Sequence, residues 1–370
     1  MTLDNIREEI DKIDAQLLPL FLKRMDRAKE VAEVKKEKGL SVLNEKREQQ
    51  ILDGIADKAG EYSGEARIFY SNILAMSRGI QYRMLDGGAA LRRAVKEAPC
   101  KPPKAEKVAC LGCKGSFSHE ALLCLYPKAR PLFFRDFPAI FEAVAGGLAD
   151  LGILPVENSS AGSVGEVYDL ILKYRFSILG ALSLPVCHCL ASSEGSISKI
   201  GAVYSHPQAL RQCAGFLKKH DLKTEPFSST AEAAEYAKKP GIGAVCSLRA
   251  AKERGLHVLA ENIQDVSGNR TRFIVIGKQM CLPNDANKIS LCFALPHRTG
   301  TLYAALARFS AAGLNLTKIE SRPIPGKNFE YDFYLDFAGN IHDEHTLDLL
   351  CALSDELPRF SFLGNYNENL

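Results

Sequence analysis

The sequence predicts a chain of three parts: an all-α segment, an α/β segment and a small α+β segment. Three observations predict it. Residues 1–96 carry apolar residues at helical spacing and one proline, Pro19. From Val108 to about Met280, short apolar runs such as Ile200–Tyr204 and Gly243–Cys246 alternate with helical stretches, the pattern of an α/β layer. Beyond Lys288 the order reads strand, helix, strand, strand, helix, strand, which predicts a ferredoxin-like sandwich. The charged, proline-rich stretch 97–107 is a linker by composition, and residues 281–287 form a second. The expected domains are therefore 1–96, 108–280 and 288–370.

At 370 residues each part is long enough to bury a core of its own. The formal charge of +3 gives no footprint for nucleic acid, and no apolar run approaches a membrane span. The N-terminus has no signal-peptide hydrophobic region, so a cytoplasmic protein is expected. Eleven cysteines, an odd number scattered through apolar segments, fit a reducing compartment rather than a disulfide framework. Cys110 and Cys113 have zinc or redox spacing, but no second CxxC completes a four-ligand site, and neither metal nor cofactor is expected.

The first helix repeats apolar residues by sevens: Leu3, Ile10, Leu17 and Val31 in one row, Ile6, Ile13, Leu20 and Val34 in another. Such rows form a seam for other helices. Arg24 and Arg27 stand in that seam, where an arginine needs a counter-charge or an anionic ligand. Lys35 lies eleven residues after Arg24 on nearly the same face, roughly 16 Å along the axis, so the two suit the ends of a small dianion. Asn44, Arg47 and Glu48 open a second helix, and Ser77 and Gln81 sit one turn apart on a third. With Arg7, this set resembles the active site of the all-helical chorismate mutases, over essentially residues 3–86. The resemblance implies that Arg7, Arg24 and Arg47 hold carboxylates, that Lys35 and Gln81 stabilise the breaking ether oxygen, and that Glu48 binds the ring hydroxyl. Asn44 stands where the bacterial fused enzymes usually carry Asp. Arg7 and Lys35 are 28 residues apart, roughly 42 Å along one helix, so a site that uses both needs an antiparallel partner chain: a homodimer.

In the second part, Gly268–Phe273 places two arginines around one hydroxyl at the start of an apolar strand. Guanidiniums there suit a substrate with carboxylates. Upstream lies Leu154-Pro-Val-Glu-Asn-Ser-Ser160, and between them Ser205-His-Pro-Gln208. Together these resemble the prephenate dehydratase family, as does the glycine-rich opening Gly112–His119. The resemblance implies a two-lobed fold like the periplasmic solute-binding proteins. It assigns to Thr271 the delivery of a hydrogen to the departing ring hydroxyl, with Arg270, Arg272 or loop groups polarising it. Glu157, Asn158, Ser159, Ser205, Gln208, Ser116 and Ser118 surround the substrate. Phe273 reads as a packing residue and His188 as a structural histidine.

The third part, with Gly300-Thr-Leu302, Asn315 and Glu320-Ser-Arg-Pro323, is close to the ACT domains of amino-acid pathway enzymes. That resemblance implies phenylalanine as effector, bound by Gly300, Thr301, Leu302, Asn315, Glu320, Ser321, Arg322 and Pro323. The leading expectation is thus a bifunctional enzyme that converts chorismate to prephenate and prephenate to phenylpyruvate. Three other readings stay open: an arogenate dehydratase carrying a mutase domain, a two-lobed binding protein without catalysis, and a non-catalytic amino-acid sensor.

Overall fold

The structure is a computed structural model that describes residues 2–324, 326–327 and 329–369; Met1, Pro325, Asn328 and Leu370 lie outside it. The chain divides into two compact units. One joins Met1–Ala98 to Ile289–Phe362, and the other joins Pro99–Lys288 to Leu363–Leu370.

The first unit begins with four helices: α1 (Leu3–Lys38), α2 (Glu45–Ala59), α3 (Ser63–Met84) and α4 (Ala89–Glu97). Thr2 caps α1 by accepting from the Asn5 amide, and Gly39 ends it in the left-handed conformation, φ 62°. Leu40 then donates back to the Lys35 carbonyl, which closes the helix end. Along its 36 residues α1 buries only Met25, Ala28 and Ala32. Both heptad rows stay exposed within one chain, from 40% at Ile6 to 65% at Leu20.

The second unit holds two lobes. The first contains β1 (Lys107–Leu111), α5 (Phe117–Leu125), β2 (Arg130–Phe134), α6 (Phe137–Ala145), β3 (Leu151–Asn158), β4 (Gly162–Ser163), α7 (Gly165–Tyr174) and β5 (Ser177–Pro185). The chain then crosses to the second: β6 (Cys189–Ser192), β7 (Ala202–Ser205), α8 (Pro207–Gln212), α9 (Ala214–Lys219), β8 (Thr224–Pro226), α10 (Thr230–Tyr236), β9 (Ile242–Cys246), α11 (Leu248–Glu253) and β10 (His257–Ala260). It returns as β11 (Arg270–Gly277), which inserts between β3 and β5 and runs antiparallel to both. The second lobe's sheet has the order β10-β6-β9-β7-β8. In the first lobe, β1 pairs in parallel with β2 and β3; β1 and β3 are largely buried, as strands covered on both faces must be, while the edge strand β2 is only half-buried.

The remaining elements are β12 (Lys288–Ala294), α12 (Thr301–Ala311), β13 (Leu316–Pro323), β14 (Tyr331–Ala338), α13 (Glu344–Glu356), β15 (Ser361–Tyr366) and β16 (Glu368–Asn369). Four of the strands form a sheet of order β13-β14-β12-β15. Within the first unit α13 packs on the helices: Gly88 at φ 69° faces Cys351, and an added Cβ would come within 2.4 Å of the Cys351 Cβ. The Gly88 amide donates to Asp355, and Arg92 pairs with Asp348. The expected third segment ran to residue 370, but β16 leaves it and extends the first lobe's sheet beside β5. The edge of β5 offers backbone donors and acceptors, and pairing satisfies them. Nor is the 281–287 linker loose, since Cys281 and Leu282 are buried and Leu282 donates to the Pro99 carbonyl. Among the described residues no helix is long and apolar enough to cross a membrane.

Candidate functional sites

The helical half encloses a cavity of about 330 Å³ whose walls include Arg24, Arg27, Lys35, Asn44, Arg47, Glu48, Ser77 and Gln81. Helical spacing puts them there. Ser77 and Gln81, four apart on α3, are buried and face α1. Arg24 donates to the Ser77 hydroxyl at 2.6 Å, and Lys35 donates to Gln81 Oε1 at 2.9 Å and to the Val42 carbonyl. Burial lowers the pKa of Arg24 and of Lys35, while Glu48 pulls both upward. Several cations facing one carboxylate in a part-dry cavity form a receptor for an anion. Asn44 caps α2, its Oδ1 accepting from the Arg47 amide, so its NH2 is the end left for a ligand. Arg7 is the exception: it lies exposed near the start of α1, paired with Asp4 at 3.3 Å and outside the cavity walls.

In the second unit a cavity of about 610 Å³ opens between the lobes, walled by Ser159, Ser160, Ala161, Gln208, Arg211, Gln212 and residues 264–269. Beside it the end of β3 meets the start of β11, with Asn158 opposite Thr271. Asn158 Nδ2 donates to the Thr271 hydroxyl at 2.8 Å and to Asn269 Oδ1 at 2.9 Å. Asn158 Oδ1 accepts from the Ser160 hydroxyl at 2.7 Å, and that hydroxyl accepts from Gln212 Nε2 at 2.7 Å. Gln212 Oε1 lies 3.0 Å from His188 Nε2, which makes that nitrogen the donor. The result is a one-way chain of donors from His188 through Gln212, Ser160 and Asn158 to Thr271. Burial holds the His188 imidazole below its ordinary range, against a smaller upward pull from its hydrogen bond with Gln212.

Gln212 and Ser160 were not among the expected residues. The signal was available for Gln212, which sits four residues after Gln208 and therefore on the same face of α8. Ser205 points elsewhere: it is buried and donates to the Val245 carbonyl at 2.6 Å. Arg270 and Arg272 flank Thr271 in a strand, so their side chains project from the opposite face. Arg270 donates to the Ser183 side chain and carbonyl; Arg272 pairs with Glu368 at 2.5 Å and donates to Tyr366. The side chain hydrogen-bonded to the Thr271 hydroxyl is that of Asn158. The guanidinium on the cavity wall belongs to Arg211. Glu157 pairs in register with Arg272, and Phe273 is core. Ser116 caps α5 and Ser118 is buried, and the turn 112–118 is not part of the cavity wall. Gly115 instead abuts the second lobe: an added Cβ would lie 2.8 Å from the Ala250 Cα, and the Gly115 carbonyl accepts from Ser247.

Of the expected effector residues, Gly300 at φ 83° precedes α12, and the Thr301 hydroxyl is held by the Pro296 and Arg298 carbonyls. Strand β13 divides the rest, with Glu320 and Arg322 on its half-buried face and Ser321 and Pro323, like Asn315, exposed.

Residues 6–82 match the type II chorismate mutase family and residues 108–281 the prephenate dehydratase family. A bifunctional chorismate mutase/prephenate dehydratase of Aquifex aeolicus is 34% identical over all of this chain and 98% of its own. The chain belongs to that family. The enzyme therefore carries two activities of phenylalanine biosynthesis, a mutase and a dehydratase. Arogenate dehydratase 2 of Petunia hybrida is 38% identical over 70% of this chain and 71% of its own. A prephenate dehydratase from Arthrobacter aurescens, solved in complex with L-Phe, is 31% identical over 70% of this chain and 89% of its own, with TM-score 0.64.

The depressed His188 pKa predicts a pH dependence. A histidine that titrates lower folded than unfolded contributes stability above its unfolded value, about 6.5, and that contribution is lost as pH falls through the folded value. The urea midpoint of the dehydratase unit should fall between pH 7 and pH 5. His188→Gln should make that fall smaller, and equal falls would remove His188 as a cause. His119, also held low by burial, adds a slope of the same sign in both proteins.

Proposed function

We propose that the helical cavity carries the rearrangement of chorismate to prephenate, with Arg24 and Arg47 on the substrate carboxylates and Glu48 on the ring hydroxyl. Lys35 and Gln81, already hydrogen-bonded to each other, stabilise the ether oxygen as it gains charge. Donors fixed before the reaction need no reorganisation at the transition state. Ser77 holds Arg24 in place, and the Asn44 NH2 meets a substrate oxygen.

Arg7 joins the cavity from a second chain in this reading. The exposed rows of α1 support it, since a helix that buries three residues of 36 has a face waiting for another helix. Arg7→Ala and Lys35→Ala chains, each inactive as mutase, should regain part of the activity when refolded together. Heterodimers that form without recovery would refute a shared site.

The donor chain ending on Thr271 is the observation that carries the dehydratase assignment. Thr271 accepts from Asn158, which leaves its own hydrogen to donate to the departing hydroxyl of prephenate as carbon dioxide leaves and the ring becomes aromatic. A chain of donors aligned in one direction strengthens its last member. Gln208, Gln212 and Ser159 line the substrate space, and Arg211 faces a carboxylate. Arogenate is a second substrate candidate, favoured by the identity to the Petunia enzyme; competition between the two substrates decides it. Lys35→Ala should abolish mutase turnover and leave dehydration of added prephenate intact. Thr271→Ala should lower dehydratase turnover by roughly two to four orders of magnitude with mutase untouched. Parallel loss of both activities in either variant would contradict separate sites.

The domains we assign are 1–96 for the mutase, 108–280 for the dehydratase and 288–370, an ACT domain whose last strand, β16, pairs in the dehydratase sheet, for regulation, in a cytoplasmic enzyme. The sheet order β13-β14-β12-β15 with two helices supports the last, being the ferredoxin-like arrangement. Phenylalanine, the molecule bound by the Arthrobacter relative, is the effector we infer, held by the α12 N-terminus with Gly300 to Leu302, by Asn315, and by the Glu320–Pro323 edge. Because β13 presents Ser321 and Glu320 on opposite faces, one face of the edge carries the effector in each chain. Millimolar phenylalanine should lower dehydratase activity of the intact enzyme, and Ser321→Ala or Asn315→Ala should weaken that inhibition. Unchanged kinetics with phenylalanine would end this reading.

A further inference from the structure

Glu48 does not stand alone in the mutase cavity. Both its carboxylate oxygens accept from Arg78 Nη1, at 2.6 and 2.5 Å. From its other edge, Arg78 Nε reaches Glu356 Oε1 at 3.2 Å, at the end of α13. The second oxygen of Glu356 accepts from Arg308 Nη1 of α12 at 2.7 Å. The side chains of Glu48, Arg78, Glu356 and Arg308 are 22, 14, 6 and 12% exposed. Two anions and two cations thus alternate in a nearly dry row, where losing one member leaves a neighbour buried and unpaired.

Arg78 grips the whole carboxylate of Glu48, so it determines where Glu48 points; Glu356 does the same for Arg78. We infer that Arg78 is a positioning residue for the mutase reaction and that Glu356, on a helix of the C-terminal segment, sets it. A side chain 308 positions from Glu48 in sequence then tunes the mutase cavity (356 − 48 = 308). The inference rests on the assignment of Glu48 to the substrate's ring hydroxyl. A row that merely glued α13 to α3 would look the same in a stability measurement, so kinetics must separate the two.

The full-length enzyme is assayed for mutase on chorismate and for dehydratase on added prephenate. Arg78→Met should lower mutase kcat/KM roughly 3- to 100-fold, the range of coupling between groups in one charged network, with dehydratase unchanged. In a Glu48→Gln background, where no carboxylate needs holding, the same Arg78→Met change should cost almost nothing further. Arg78→Lys should restore part of the loss, and Glu356→Gln should lower mutase activity in the same direction. An equal cost of Arg78→Met in both backgrounds, or no cost in the parent, overturns the inference. If Arg78→Met does not fold, Glu356→Gln compared in the same two backgrounds decides the matter: a smaller cost beside Glu48→Gln supports the inference, and additivity overturns it. A Glu48→Gln enzyme with parental mutase activity would instead sink the assignment of Glu48 itself.

Discussion

The insertion of β11 between β3 and β5 is the constraint on which the dehydratase half depends. A chain that has left for a second lobe must come back to complete the first lobe's sheet, and its antiparallel register fixes which residues meet. Ile274 falls opposite Leu154 and Val275 opposite Ile153, deep in the core, and a one-residue register shift between Arg272 and Phe273 then sets Thr271 opposite Asn158 instead of Glu157. Side chains alternate along β11, and the run Phe273–Ile276 is buried on both faces, which anchors the strand beside the polar pairing. The same alternation sends Arg270 and Arg272 to the far side. There Arg270 meets Ser183, and Arg272 and Lys288 both reach the Glu368 carboxylate.

In the helical half, charge rather than strand register does the positioning. Arg24 and Lys35 are on a helix face that packs against α3, and each meets a neutral oxygen there, Ser77 or Gln81. Neutral partners leave the positive charge uncompensated, which is what an anionic ligand requires. Glu48 is the contrasting case, balanced by Arg78. The cavity is therefore polarised, with cations available for a ligand along one wall and a neutralised carboxylate at the other.

How much of this was legible in the sequence depended on the range of the interaction. Arg24 and Lys35 followed from helical spacing, the other cavity residues of α2 and α3 from the resemblance to the helical mutases, and Asn158 with Thr271 from the resemblance to the dehydratases. Asn44 as a cap was readable too, since Asn before a helix accepts from the third residue on. The facing of Arg270 and Arg272 was also within reach, because a strand that begins at Arg270, not at Phe273, alternates through Thr271. Gln212 was legible in the same way, one helical turn after Gln208. What sequence did not offer was the row from Glu48 to Arg308 and the return of β16 to the first lobe. Both join residues far apart in the chain, through ordinary arginines and glutamates that carry no local pattern.

One unit is discontinuous: α1 to α4 pack with α12 and α13, but Pro99–Lys288, 190 residues (288 − 99 + 1), lies between them in the chain. During synthesis at about 5 to 20 residues per second, the four helices wait roughly 13 to 52 s before α13, complete at Glu356, emerges to cover Gly88 and Tyr82. Through that interval they hold an apolar seam and an uncovered α3 in water, while the dehydratase lobes are still growing. A nascent chain in this state is exposed to premature pairing between neighbours on one message. The pairing proposed for the mature α1 seam and the one that threatens the growing chain then use the same surface, and only timing separates them.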